Sequence, residues 1–114
     1  MEEETVQSAM NIILHAGDAR VACKEAMEAL AQFDIEGARA KMETAHTEIT
    51  EAHRVQTDAI QGEARGEGKG YSLLFTHAQD TLMTINSEIN ITKQLIGVFD
   101  AYEKRLAALE EKLG

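Results

Sequence analysis

A chain of 114 residues is long enough for one compact domain and too short for two. Its 20 acidic against 11 basic side chains leave a formal charge of −9. That surplus repels phosphate backbones and anionic headgroups, which argues against nucleic-acid or membrane-surface binding and suits a basic protein partner or a bound cation.

The hydrophobic fraction of 44% is too high for a disordered acidic tail, so a packed core is expected. With no proline, few aromatic residues and abundant Ala, Glu, Met, Gln, Lys and Leu, the composition favours helices. The single cysteine, Cys23, cannot form an internal disulfide and fits a reducing compartment. The start, MEEETVQSAM, is acidic, the opposite of a secretory leader, and no apolar run approaches the about 20 residues needed to cross a bilayer. A soluble cytoplasmic protein with no membrane insertion is expected.

Periodicity predicts three helices. The first runs from about Glu4 to Gln32, with Val6, Met10, Ile13, Gly17 and Val21 spaced at three or four. It stops near QFDIEG, where Asp34 can cap the next helix. The second, roughly Ile35 to Gln61, carries Ile35, Ala38, Met42, Ala45, Ile49, Ala52 and Ala59, broken by polar Gln56 at the expected step. Its alanines let a neighbouring helix approach closely along a narrow seam. Four glycines in GEARGEGKG end that helix and predict a mobile loop; it lacks the GxxxxGK[ST] spacing and follows no strand, so it is not a phosphate-binding loop.

The third helix begins near Ser72, a suitable N-cap, and extends to about Leu113. Its apolar residues fall on two stripes. Leu74, Ala78, Leu82, Ile85, Ile89, Ile96 and Phe99 make one. His77, Asp80, Thr84, Ser87, Ile91, Leu95, Val98 and Tyr102 make the other, polar in its first half and apolar in its second. At 100° per residue their centres lie roughly 120° apart. A three-helix bundle uses one face of each helix, so the second stripe is expected to be buried against another subunit. The expected fold is all-α: one domain over residues 1–114, an antiparallel three-helix bundle that oligomerises through its third helix.

Chemistry has few footholds. His46 and His53 are seven apart, too far for direct chelation of one metal, and HExxH is absent. His15 precedes Ala, Gly and Asp, which points to close helix packing. No GxSxG elbow appears, and Cys23 lies mid-helix with no histidine beside it, so a buried inert thiol is expected. Glu43 and His46 form one Glu-x-x-His pair, but a di-iron bundle needs two. Catalytic carboxylate pairs do not stand out among so many glutamates.

His77 differs in its setting. An imidazole of ordinary pKa, about 6.5, is largely neutral and nucleophilic at cytoplasmic pH. On a partly accessible stripe it could take a phosphoryl group and pass it on, a transfer in which the protein mainly positions and neutralises charge. Asp80, three residues later, would repel a phosphorylated ring unless a cation or proton offsets it. If copies of this helix meet along the stripe, their Asp80 carboxylates converge and call for an oxygen-loving cation such as Mg²⁺. The residues alone leave a second reading open: an interface histidine bonded to Asp80 in a non-catalytic helical oligomeric adaptor.

At HAQDTLMT, residues 77–84, the chain resembles a known family, the IIA component of the lactose/cellobiose (N,N′-diacetylchitobiose) class of the bacterial phosphoenolpyruvate-dependent sugar phosphotransferase system, whose motif reads approximately H-[AG]-Q-D-H-L-M-T. AGDAR at 16–20 and EAHRVQT at 51–57 agree in order and register, so the similarity covers almost the whole chain. The resemblance implies a homotrimer of three-helix bundles acting as a phosphocarrier. By it, His77 is the phosphohistidine, charged on Nε2 by the phosphocarrier protein HPr and discharged to a cysteine of the IIB component, with the membrane component IIC downstream. Asp80 matches the metal ligand shared at the trimer axis, where the implied cation is Mg²⁺ or similar, and Gln79 matches a position that helps orient the site. Thr81 departs from the motif, standing where the family usually has a second histidine. The sugar is not encoded here, since that specificity resides mainly in the membrane component.

Overall fold

The computed structural model describes residues 2–67 and 70–114, and places them in three helices: α1 (Glu2–Ala31), α2 (Ile35–Ala64) and α3 (Leu73–Leu113). No strand occurs among the described residues. The helices form an up-down-up bundle measuring 68 × 19 × 18 Å, its length set by the 41-residue α3. Of the glycine-rich segment expected to be mobile, Gly68 and Lys69 lie outside the described residues.

The core is a seam of small and branched side chains. From α2 it takes Ala38, Met42, Ala45, Ile49, Ala52 and Val55, the stripe read from sequence with Val55 added. From α3 come Ala78, Leu82, Ile85, Ile89 and Ile96, again as expected, with Leu74 and Phe99 packed at the ends. Thr92 fills the gap in that stripe. It is buried, and its hydroxyl donates to Glu88 O at 2.8 Å and lies 2.9 Å from Cys23 Sγ. A hydroxyl bonded to its own preceding turn can sit in a core without an unsatisfied group. Leu82 is fully buried; Leu82→Ala is expected to cost about 3 kcal/mol in chemical denaturation, from lost transfer energy plus the cavity left behind.

On α1 the structure corrects the sequence reading. The buried face is Ala9, Ile12, Ala16, Ala19, Ala22, Cys23, Ala26 and Leu30. Val6, Met10 and Val21 of the expected stripe are exposed, and Ile13 and Gly17 are half-buried at its edge. The physical reason is distance: α1 touches both other helices, and small residues let the backbones close up. The larger residues fall on a separate outward stripe.

Both helix ends that precede a reversal use the same hydrogen-bond pattern. After α1, Asp34 N bonds Ala29 O and Phe33 N bonds Leu30 O, each at 2.9 Å. After α2, Glu67 N bonds Gly62 O and Gly66 N bonds Glu63 O, each at 2.9 Å. The residue between must take a left-handed conformation, which Gly66 does at φ 85° without strain. Phe33 does it at φ 57°, and its ring stacks on Phe99 with centroids 5.9 Å apart, which offsets the backbone cost. Thus Gly62 does not end α2 as expected; the helix runs through it to Ala64 and the turn falls at Gly66. Asp34 caps α2 through Gly37 N at 2.9 Å, as read from sequence.

Candidate functional site

The phase of α3 is set at its first turn. Ser72 Oγ accepts from Phe75 N at 3.1 Å, capping the helix and placing the second turn so that His77 projects into solvent. The imidazole has no hydrogen-bond partner among the described residues. Along the same stripe the hydroxyls turn back on the helix: Thr81 Oγ1 donates to His77 O at 2.9 Å, and Thr84 Oγ1 donates to Asp80 O at 2.8 Å. Asp80 is exposed and likewise has no ion pair or side-chain hydrogen bond among the described residues. Within one chain, then, His77 and Asp80 share a face but are not bonded to each other.

Gln79 sits elsewhere. Two positions place it about 200° around the helix from His77. There it is half-buried and lines a recess of about 590 Å³ between the ends of the three helices, with Thr76, Phe75, Tyr71, Asp58 and Glu63 also in the wall. The imidazole and this amide therefore belong to different surfaces of the same turn.

The remaining candidates are structural. His15 Nδ1 donates to Glu48 Oε1 at 2.8 Å, a half-buried link between α1 and α2. His46 is exposed and His53 half-buried on α2, as expected of helix histidines. Cys23 is buried beside Thr92, which fits an inert thiol. Arg20 binds Glu88 through two parallel bonds of 3.0 and 2.8 Å, joining α1 to α3 and holding the guanidinium pKa above its usual range.

These cross-helix contacts reveal a feature that the sequence reading missed. On α1, His15 and Glu25 face α2 while Arg20 and Cys23 face α3. About 90° beyond the α3 contact, away from α2, lies the outward stripe of Val6, Met10, Ile13, Gly17 and Val21. On α3, Glu88 and Thr92 face α1, and about 80° from them, again away from α2, runs the stripe from His77 to Tyr102. The two stripes flank one groove. Its apolar members stay open in a single chain, with Ile91 58%, Val98 46% and Tyr102 60% exposed. A second wall on α1 was legible in principle, as a second three-four series beside the alanines.

A sequence model built on the lactose/cellobiose-specific IIA subunit of the phosphotransferase system matches residues 7–100, which include the HAQDTLMT turn and both other shared segments. The chain belongs to this family. It is 37% identical to the lichenan-specific phosphotransferase enzyme IIA component of Bacillus subtilis (strain 168), over 95% of this chain and 98% of the relative. It is 35% identical to the lactose-specific EIIA component of Lacticaseibacillus casei, over 97% and 96%. The crystal structure of the cellobiose-specific enzyme IIA from Bacillus anthracis superposes with a TM-score of 0.81 at 36% identity, covering 86% of this chain and 90% of that one. The protein is thus a sugar-specific IIA component, part of a phosphotransferase, as the resemblance implied.

Two of the three segments that carry the resemblance hold this IIA bundle together. In AGDAR, Ala16 and Ala19 are fully buried and Arg20 makes the bond to Glu88. In EAHRVQT, Ala52 and Val55 are buried, and Arg54 pairs Glu51 and Asp58, which holds the Glu51 carboxyl below its usual range. HAQDTLMT instead presents an exposed imidazole and an exposed carboxylate, His77 and Asp80, on one face with no partner among the described residues. Thr81, in place of the family's usual second histidine, spends its hydroxyl on the backbone. If His77 is the phosphoryl acceptor, as the resemblance implies, Thr81→His is expected to change its steady-state phosphorylation by less than about tenfold, measured by acid-labile label, since the imidazole makes no side-chain hydrogen bond with Thr81.

Proposed function

We propose that this IIA component is a phosphocarrier in which His77 receives a phosphoryl group from phospho-HPr and gives it to a cysteine of the IIB component during sugar uptake. The observation that supports this best is the His77 ring: exposed, unpartnered among the described residues and presented by a capped helix. In the forward step the neutral Nε2 lone pair attacks phosphorus while the donor's P–N bond breaks, so the donor leaves as neutral imidazole. In the second step a cysteine thiolate attacks phosphorus and His77 leaves in turn. Little bond-making falls to the protein beyond holding the ring in line, which a rigid helix with a buried opposite face does. Gln79 would support the site from the recess side, by fixing the first turns of α3 against α2.

The open groove supports a homotrimer built along α3, the number three coming from the family resemblance. One chain offers no group of three His, Cys, Asp or Glu side chains that could hold a metal among the described residues. Asp80 fits a shared site for this reason: it is exposed, unpartnered and on the stripe that would face the axis. Mg²⁺ or a similar cation held by several Asp80 carboxylates would neutralise their mutual repulsion. Asp80→Asn is expected to stabilise the metal-free oligomer, while chelator loosens the wild type and leaves the variant unmoved. Sedimentation of both proteins with and without chelator checks this, and identical stability in all four conditions would reject the axial cluster.

The proposed site of action is the cytoplasm. No described helix is long and apolar enough to cross a bilayer. Incubation with phosphoenolpyruvate, enzyme I and HPr tests the carrier role directly. Label that is acid-labile and base-stable is expected; an unlabelled wild type would favour a non-catalytic adaptor.

A further inference from the structure

The last turns of α3 leave the bundle. The last ring and ion-pair contacts that tie α3 to the rest of the described chain are the stack of Phe99 on Phe33, in the α1–α2 turn, and the Arg39–Asp100 ion pair; beyond Asp100, every side chain is exposed except half-buried Glu103. Residues 101–113 form about 20 Å of free helix at 1.5 Å per residue. This arm also lies past residue 100, where the family match stops.

Its sequence is patterned for a partner. Tyr102, Leu106, Leu109 and Leu113 are spaced 4, 3 and 4, and all are exposed. They continue the outward stripe of Ile91, Leu95 and Val98 without a break in face. With Leu106 and Leu113 at position a and Tyr102 and Leu109 at position d, Glu103 and Glu110 fall at e and Arg105 and Lys112 at g. One flank of the seam is acidic and the other basic. None of these four charges joins an ion pair among the described residues; the only ion pairs in the stretch from Asp100 on are those of Asp100 with Lys104 and Arg39.

We infer that the arm zips in parallel against the same arm of other copies of this chain. In a parallel cyclic arrangement each basic flank meets a neighbour's acidic flank, which sets Arg105 opposite Glu110 of the adjacent copy. An antiparallel pair would instead set basic against basic and acidic against acidic, so the charge order selects the direction. The arm extends the proposed trimer contact past the bundle and rests on that assembly, but apart from Tyr102, the last member of the α3 stripe, its residues lie beyond both His77 and the groove between α1 and α3.

The test uses the 114-residue chain carrying Gly114→Cys, since Cys23 is buried and a parallel zipper gathers the ends of the arms. Under mild oxidation, disulfide-linked pairs should form at a rate independent of protein concentration. Arg105→Glu or Glu110→Arg alone should slow that rate at least tenfold, and the double exchange should restore it to within twofold. Sedimentation of the same samples separates the two levels. A trimer whose arm ends link only at a concentration-dependent, collisional rate overturns the zipper and leaves the trimer standing. A monomer overturns both. Equal rates in the single and double variants would overturn the charge-selected register.

Discussion

His77→Ala is expected to lower phosphoryl labelling by phosphoenolpyruvate, enzyme I and HPr by at least about a thousandfold, with the fold intact. The magnitude follows from what remains. Of the other three imidazoles, His15 is tied to Glu48, and His46 and His53 lie on α2, outside the turn that Ser72 presents. In-line transfer tolerates little misplacement, so a histidine on another helix is a poor substitute. The fold should survive because the ring is exposed and Ala is a better helix former than His. Label from ³²P-phosphoenolpyruvate, resolved by acid and base treatment and set beside the circular dichroism melt, makes the measurement. Substantial acid-labile label on the alanine variant would remove His77 from the mechanism.

The helices were legible wherever burial and side-chain size agree. On α2, Ala38, Met42, Ala45, Ile49 and Ala52 of the periodic stripe are buried, with Val55 taking the place of Gln56, because that face has one task and meets its neighbours within the chain. Both N-caps, Asp34 and Ser72, were readable because a short polar side chain three residues before a free amide has a local geometry. On α1 the reading chose the wrong face, since hydrophobic periodicity weights Val6, Met10 and Val21 over Ala9, Ala16 and Ala19. Close helix approach inverts that weighting: the small residues go inside and the large ones are left for another surface. Phe33 in a glycine's conformation, the His15–Glu48 bond and the Cys23–Thr92 contact were not readable, because each depends on residues that only the fold brings together.

The candidate site was read for a different reason. A histidine in the second turn of a helix is not informative by itself, and the physics of His77 and Asp80 left a carrier and an adaptor both open. The octapeptide favours the carrier through the family, and the structure adds that the His77 and Asp80 side chains are unengaged among the described residues. It also separates Gln79 from His77, which spacing along the motif could not do without a fixed helical phase.

Ile91→Asp should dissociate the proposed oligomer without unfolding the subunit. Ile91 is exposed in the isolated bundle, so its replacement removes no contact within the chain and costs only about 0.3 kcal/mol in helix propensity. On assembly the same position lies in the middle of the stripe between Ser87 and Leu95, flanked by the α1 stripe of the same chain. Burying an unpaired carboxylate there costs several kcal/mol per copy, and a symmetric assembly repeats the cost in every subunit. Because the introduced carboxylates would also face one another, mutual repulsion adds to desolvation. The dissociation midpoint should therefore rise more than about a thousandfold while the thermal midpoint of the monomer, measured at dilution, stays within a few degrees. Ile91→Leu at the same position, apolar and of similar volume, should sediment as the wild type does. Unchanged sedimentation of the Ile91→Asp variant at every concentration would mean that this face of α3 stays in water, and the subunits would then have to meet elsewhere.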